Sequence, residues 1–148
     1  MRELTASAIV ALHALHLMMQ RNMAVTLEDI QESSGFPREL IRGVLPELLR
    51  GGLIQRSSRR GYVLSRAPGE ISLQQILQAV EESRAPTAPC DGDFEKCDSR
   101  ASCLLAPLCR EADREFVRTL RSFTLAELRH QPPGVPNCLD PRFRAEAT

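Results

Sequence analysis

The stretch Thr26–Leu64, TLEDIQESSGFPRELIRGVLPELLRGGLIQRSSRRGYVL, decides the fold. Thr26 is an N-cap residue, and the acids Glu28 and Asp29 suit the positive end of the helix it opens. That helix runs to about Ser33. Ser33-Ser-Gly-Phe36 is a tight turn, and Pro37 fits the first position of a third helix, where a missing N–H costs nothing. Leu40, Ile41, Val44, Leu45, Leu48 and Leu49 give this helix a broad apolar face. Gly43 weakens it, and Pro46 crowds the carbonyl of Arg42, so a kink or a loosened first turn is expected. Gly51-Gly52 stops it. A helix of this length after a short glycine-containing turn is a helix-turn-helix.

Two short apolar runs follow, Leu53-Ile54 and Tyr62-Val63-Leu64, separated by the polar tip Gln55–Gly61. They read as a β-hairpin wing. Total charge is uninformative, with 19 cations against 19 anions. Locally it is lopsided. Between Gly35 and Arg66 the cations are Arg38, Arg42, Arg50, Arg56, Arg59, Arg60 and Arg66, and the acids only Glu39 and Glu47. A basic third helix and wing beside a near-neutral remainder is the electrostatic footprint of a protein that binds double-stranded DNA. Pro37–Arg42 is the segment expected in the major groove. There Arg38 and Arg42 would reach guanine edges or phosphates, and Glu39 would accept from cytosine.

Outward from this core, residues 5–20 form a helix on the spacing of Ile9, Leu12, Leu15 or His16, and Met19, with His13 and His16 beside the stripe. Ser72-Leu-Gln-Gln75 is a capping box opening a fourth helix that buries Leu73, Ile76, Leu77 and Val80. Ser83–Pro89 reads as a linker. Then comes CDGDFEKCDSRASCLLAPLC, Cys90–Cys109, which holds four of the five cysteines. Its polar loop buries too little apolar surface to organise itself, and thiolates gathered on a metal would do so. From about Leu104 to Phe123, Leu108, Ala112, Phe116, Leu120 and Phe123 recur at helical steps. A long amphipathic helix near the end of a small chain is short of partner surface and suits a homodimer. Thr124-Leu-Ala-Glu127 is a second capping box. The proline-rich residues 131–148 lack periodicity and are expected to be disordered.

The expected architecture is mainly α with a small β-hairpin: a winged helix-turn-helix at 1–66, a connecting helix and linker at 67–89, a cysteine loop at 90–109, a dimerisation helix at 104–130, and the tail. With no Trp and one Tyr the core is aliphatic. The only lysine is Lys96, so Arg, the better planar partner for phosphate and base edges, carries nearly all the positive charge. No signal peptide and no run of about 18 apolar residues is visible, which points to a cytoplasmic protein without a membrane partner. In a reducing compartment, clustered cysteines are metal ligands or redox sensors rather than structural disulfides. No acid–base or nucleophile set appears, so neither an enzyme nor a small-molecule substrate is expected.

In order and spacing, several segments resemble the Rrf family of bacterial winged-helix regulators over about residues 1–130. They are MRELTASAIVALHAL at 1–15, VTLEDIQESSGFPRELI at 25–41, LLRGGLIQ at 48–55, RGYVLSRAPGEISLQQILQAVEE at 60–82, the three-cysteine loop, and TLAEL at 124–128. The resemblance implies a homodimer bridged by the C-terminal helix, promoter DNA as partner, and an iron–sulfur cluster, 2Fe–2S or 4Fe–4S, on Cys90, Cys97 and Cys103. It implies in turn that DNA binding responds to redox state, nitric oxide or iron supply.

The chain departs from the pattern in places. A histidine found in some relatives three residues after the third cysteine is Ala106 here. An acidic ligand position in the first helix corresponds to Ile9, and one turn later a position that is histidine in another subgroup corresponds to His13. Cys109 stands where relatives often carry an aromatic residue. Cys109 and the partner subunit's His13 are therefore equal candidates for the fourth ligand, with Cys138 behind. The wing tip Ser57-Ser-Arg-Arg-Gly61 replaces a Gly-Pro-Gly-rich one, leaving Arg59 or Arg60 to enter the minor groove. Three other readings are open. A zinc site needs closer cysteine pairs than gaps of five and six residues. A cluster-free thiol switch would act through cysteine oxidation. A small electron carrier leaves the basic wing unexplained.

Overall fold

Thr5 accepts a hydrogen bond from the Ala8 N–H and opens α1, Ala6–Arg21, the helix around which the others gather. In this computed structural model, which describes residues 4–81 and 105–129, α1 is followed by α2 (Leu27–Ser34), α3 (Arg38–Arg50), β1 (Ile54–Arg56), β2 (Tyr62–Leu64), α4 (Leu73–Glu81) and α5 (Ala106–Ser122). Short 3₁₀ turns stand at Pro68–Glu70 and Leu125–Arg129. The expected class, mainly helical with one hairpin, is the one observed.

Expectation and observation part in α1. The predicted stripe placed Ile9 and Leu12 in the core, yet both are half-buried, whereas Ala8, Val10, Ala11, Ala14 and Leu15–Met19 are buried. The reason is its central position: α1 touches α2, α3, α4, β2 and the C-terminal 3₁₀ turn. A helix packed on several sides shows no clean stripe, and the small Ala8, Ala11 and Ala14 let neighbours approach.

Elsewhere the local chemistry holds. Thr26 caps α2 through the Asp29 N–H, and the Asp29 carboxylate returns the bond to the Thr26 N–H at 2.8 Å, completing a capping box. Gly35, at φ 71°, ends α2 in the left-handed conformation that glycine adopts freely. Pro37 sits one place before its expected position, as the residue preceding α3. Pro46 neither breaks α3 nor loosens its first turn: the helix runs uninterrupted from Arg38 to Arg50. Burial of Ile41, Val44, Leu45 and Leu48 on its inner face outweighs one missing backbone bond, and Pro46 itself faces solvent.

The wing is an antiparallel pair with Ile54 opposite Leu64 and Arg56 opposite Tyr62. A third strand position comes from outside it. Val25, in the loop before α2, exchanges both backbone bonds with Tyr62 at 2.8 and 2.9 Å. The wing is thereby tied to the start of the helix-turn-helix.

The Ser72–Gln75 capping box forms as read, with bonds of 3.1 and 3.2 Å. The end of α5 is fastened to the same place. The Leu73 N–H donates to the Phe123 carbonyl at 2.9 Å, the Leu125 N–H donates to the Ile71 carbonyl at 2.8 Å, and Leu125 is fully buried. His16 reaches this clasp from α1. It is buried, and its ring bonds to the backbone of Leu128.

Desolvation of His16 lowers its pKa, and the Leu128 bond only partly offsets this. In the unfolded chain the ring takes up a proton near pH 6.5, whereas the folded ring resists until lower pH. Stability is therefore full above about pH 7 and falls as pH drops through the window beneath 6.5. The urea midpoint of the wild type should fall between pH 7.5 and pH 5.5 by more than that of His16→Gln. Parallel curves would show that His16 is not the group responsible.

Candidate nucleic-acid interface and cysteine segment

The solvent face of α3 is a stripe of Arg38, Glu39, Arg42, Gly43, Pro46 and Arg50, all exposed. These positions follow from helical geometry: Arg38, Arg42, Pro46 and Arg50 are four apart, opposite the buried Ile41, Val44, Leu45 and Leu48. Gly43 has open space around it, so α3 shows bare backbone midway along the stripe. Pro37 stands exposed just before it. Pro37, Arg38, Glu39 and Arg42 are thus exposed together, while Ile41 of the same segment is buried in the core.

Two of its arginines are already engaged. Arg38 donates to the Glu28 carboxylate of α2 at 3.0 Å, and Arg42 approaches Glu39 at 3.5 Å within its own helix. Glu28 has its pKa lowered, first by a bond from its own backbone N–H and then by Arg38. Asp29 is lowered likewise, by Thr26 first and then by Arg21, whose guanidinium is 2.9 Å away. The wing differs. Arg59 and Arg60 are exposed at its tip and carry no ion pair among the described residues. The tip is shaped by Ser57, whose N–H donates to the Gly61 carbonyl at 3.0 Å and whose hydroxyl accepts from the Arg59 N–H at 3.2 Å. Arg56 lies over the Tyr62 ring, 5.8 Å from its centre, so that cation braces the hairpin.

The spacing of residues had shown none of the Glu28–Arg38 pair, the Val25–Tyr62 bridge or the His16 bond. Each joins positions whose proximity arises only from tertiary packing. The pair had one trace in the sequence, an acid in the first turn of α2 and an arginine just past the turn.

Cys90, Cys97 and Cys103 lie outside the described residues, as do the side chain of Cys109 and all of Cys138. Among the described residues no His, Cys, Asp and Glu cluster is placed to hold a metal. His13 is half-buried in α1, with its ring edge-on to Phe36 at a centroid distance of 5.1 Å. Phe36 belongs to the turn before α3, so the structure places His13 beside the helix-turn-helix. The backbone of residue 109 falls in the first turn of α5. Along α5, Phe116, Val117 and Leu120 are half-buried while Leu105, Leu108 and Phe123 stand exposed. Among the described residues no helix is long and apolar enough to cross a membrane.

Residues 4–131 match the Rrf2 family, described as an iron-dependent transcriptional regulator. A putative HTH-type transcriptional regulator of Synechocystis is 35% identical over 105 residues, covering 70% of this chain and 69% of the relative. The HTH-type transcriptional regulator IscR of Xenorhabdus nematophila is 32% identical over 126 residues, covering 84% and 72%. Among solved structures, IscR of T. potens superposes with a TM-score of 0.64 at 21% identity, over 86% of this chain and 85% of that one. CymR, the global cysteine regulator of B. subtilis, superposes with 0.66 at 18%, over 89% and 100%. These relatives regulate transcription and are not enzymes. On the family match, supported by the winged helix-turn-helix, the chain belongs to the Rrf2 family of transcriptional regulators.

Proposed function

We propose that the protein is a homodimeric regulator whose binding to promoter DNA is set by an iron–sulfur cluster on Cys90, Cys97 and Cys103, with Cys109 or the partner subunit's His13 as fourth ligand. One observation carries this reading: four thiols within twenty residues directly precede and enter α5, the helix clasped at its far end to the DNA-reading body. The donor chemistry fits, because cysteine thiolates are the ligands such clusters use and a set of four is complete for either a 2Fe–2S or a 4Fe–4S form. When bound, the cluster supplies a fold for the polar loop and a group open to oxidants, nitric oxide or iron loss. The relatives named IscR and the family's iron-dependent description agree with this reading.

The chain's own residues then carry the change. The apolar residues Leu105, Leu108 and Phe123 suit the corresponding helix of a second subunit. The Phe123–Leu73 and Leu125–Ile71 bonds fix the end of α5 to the start of α4. In turn α4 lies so close to the end of α3 that a Cβ on Gly51 would be 2.9 Å from that of Ala79. A shift at the head of α5 thus has a packed route to the recognition helix. Half-sites on DNA are about 34–36 Å apart, so a small change in the spacing of two such helices weakens binding sharply. Gel-shift titration of cluster-loaded and cluster-free protein on one promoter tests the switch. A difference of about fivefold or more is expected from typical couplings of about 1–3 kcal/mol, and equal affinities would refute it.

Within the interface, Arg42→Ala should weaken operator binding by about 1–3 kcal/mol, concentrated on one base-pair position, if its guanidinium leaves Glu39 for a guanine. Anisotropy titrations on operators altered one position at a time check this. A loss uniform across the operators would make Arg42 a phosphate contact.

A further inference from the structure

The positive charge on the candidate DNA face is divided into two kinds. Arg59 and Arg60, on the wing, are exposed and without an acid among the described residues. Arg38, at the start of the recognition helix, is held by Glu28 at 3.0 Å, an acid from a different helix. The start of α2 adds to this division. The N–H groups of a helix's first turn ordinarily offer a grip for phosphate. Here two N–H groups are filled from within: the Thr26 N–H by Asp29 and the Asp29 N–H by Thr26. Asp29 is held in place by Arg21 as well. The start of α2 therefore repels a phosphate where it would otherwise attract one, and it directs one carboxylate at Arg38.

We propose that Glu28 is a specificity-determining residue that withholds Arg38 from phosphates on non-cognate DNA and releases or aims it only where the cognate sequence offers a better partner. An exposed ion pair is the right strength for this. Such pairs are weak, so they lose to a two-pronged base contact yet compete with a single phosphate. The wing arginines supply sequence-independent attraction, and Glu28 subtracts from it at the reading helix. The inference rests on the DNA-reading part of the proposed function and is independent of the cluster.

The test uses the full chain and two labelled duplexes: one selected by the wild type from a random pool, and one of random sequence. Anisotropy titrations are run between about 50 and 200 mM salt. Glu28→Gln should bind the random duplex about two- to fivefold more tightly, as removal of a surface pair allows. Its salt slope should steepen by about 0.9, the mark of one added phosphate contact. Binding to the selected duplex should change less, so discrimination falls. In an Arg38→Gln background the same change should have little effect. Glu28→Asp, which keeps the charge but shortens the reach, should behave like Glu28→Gln. Equal tightening on both duplexes, an undiminished effect without Arg38, or a Glu28→Asp protein indistinguishable from wild type would each overturn the proposal. A wild type that binds neither duplex would instead overturn the DNA-reading function, and this inference with it.

Discussion

Gly61→Val is expected to destabilise the protein by about 2–4 kcal/mol and to abolish measurable DNA binding, through strain at one backbone position. Gly61 has φ 108°, where a β-branched side chain is not tolerated, and a Cβ placed there would lie 2.6 Å from the Val25 carbonyl oxygen. That same oxygen accepts the Tyr62 N–H. The chain cannot relieve the contact by yielding at Val25, which is fully buried. The wing must therefore detach from the helix-turn-helix, taking Arg59 and Arg60 with it. Urea unfolding gives the stability loss and a gel shift the binding loss. Gly43→Ala is the control. Nothing lies within 4 Å of its would-be Cβ and it sits inside α3, so this change should stabilise by about 0.5–1 kcal/mol. A Gly61→Val protein as stable as the wild type would mean the wing is not held through Val25.

The same region shows how far residues alone specify this structure. Signals that act within a few residues were legible: the Thr26 cap, the turn through Gly35, the Ser72–Gln75 box and the inner face of α3 all formed where the pattern put them. What failed needed knowledge of neighbours. The apolar spacing in α1 pointed to a stripe through Ile9 and Leu12, but a helix covered on several sides has no single inner face. Pro46 argued from local geometry for a kink or a loosened first turn; the first turn stays helical, over four buried aliphatic residues. The exposure of Arg38, Glu39 and Arg42 on the outer face of α3 was legible from helical spacing alone. The Arg38–Glu28 pair was not, since it spans ten positions and a turn. The cysteine ligands rest on residue chemistry, spacing and likeness to relatives, and Cys90, Cys97 and Cys103 lie outside the described residues.

Replacing Cys97 with Ser should cost the protein its colour and at least an order of magnitude of bound iron and sulfide. A hydroxyl stays protonated at neutral pH, and only a deprotonated sulfur ligates such a cluster well. The winged helix should survive the change. Among the described residues its core draws on Leu15, Ile30, Ile41, Leu48, Leu53, Ile71, Ile76 and Leu125. Cooperative unfolding should therefore persist while the cofactor is lost. That separation identifies a sensor added to a self-sufficient DNA reader, rather than a metal that holds the whole domain together. Cys109→Ser and His13→Ala, measured beside it under anaerobic conditions, assign the fourth ligand: the one whose loss shifts the visible spectrum without emptying the site is the ligand. His13→Ala carries a second signature, because its ring packs on Phe36 in the turn before α3 and its loss should loosen that turn whether or not it ligates. Wild-type protein that is colourless when purified without oxygen, yet binds its promoter as tightly as any iron-loaded sample, would show that the cysteines serve some other chemistry. The reader built by α1–α4 and the wing would stand unchanged.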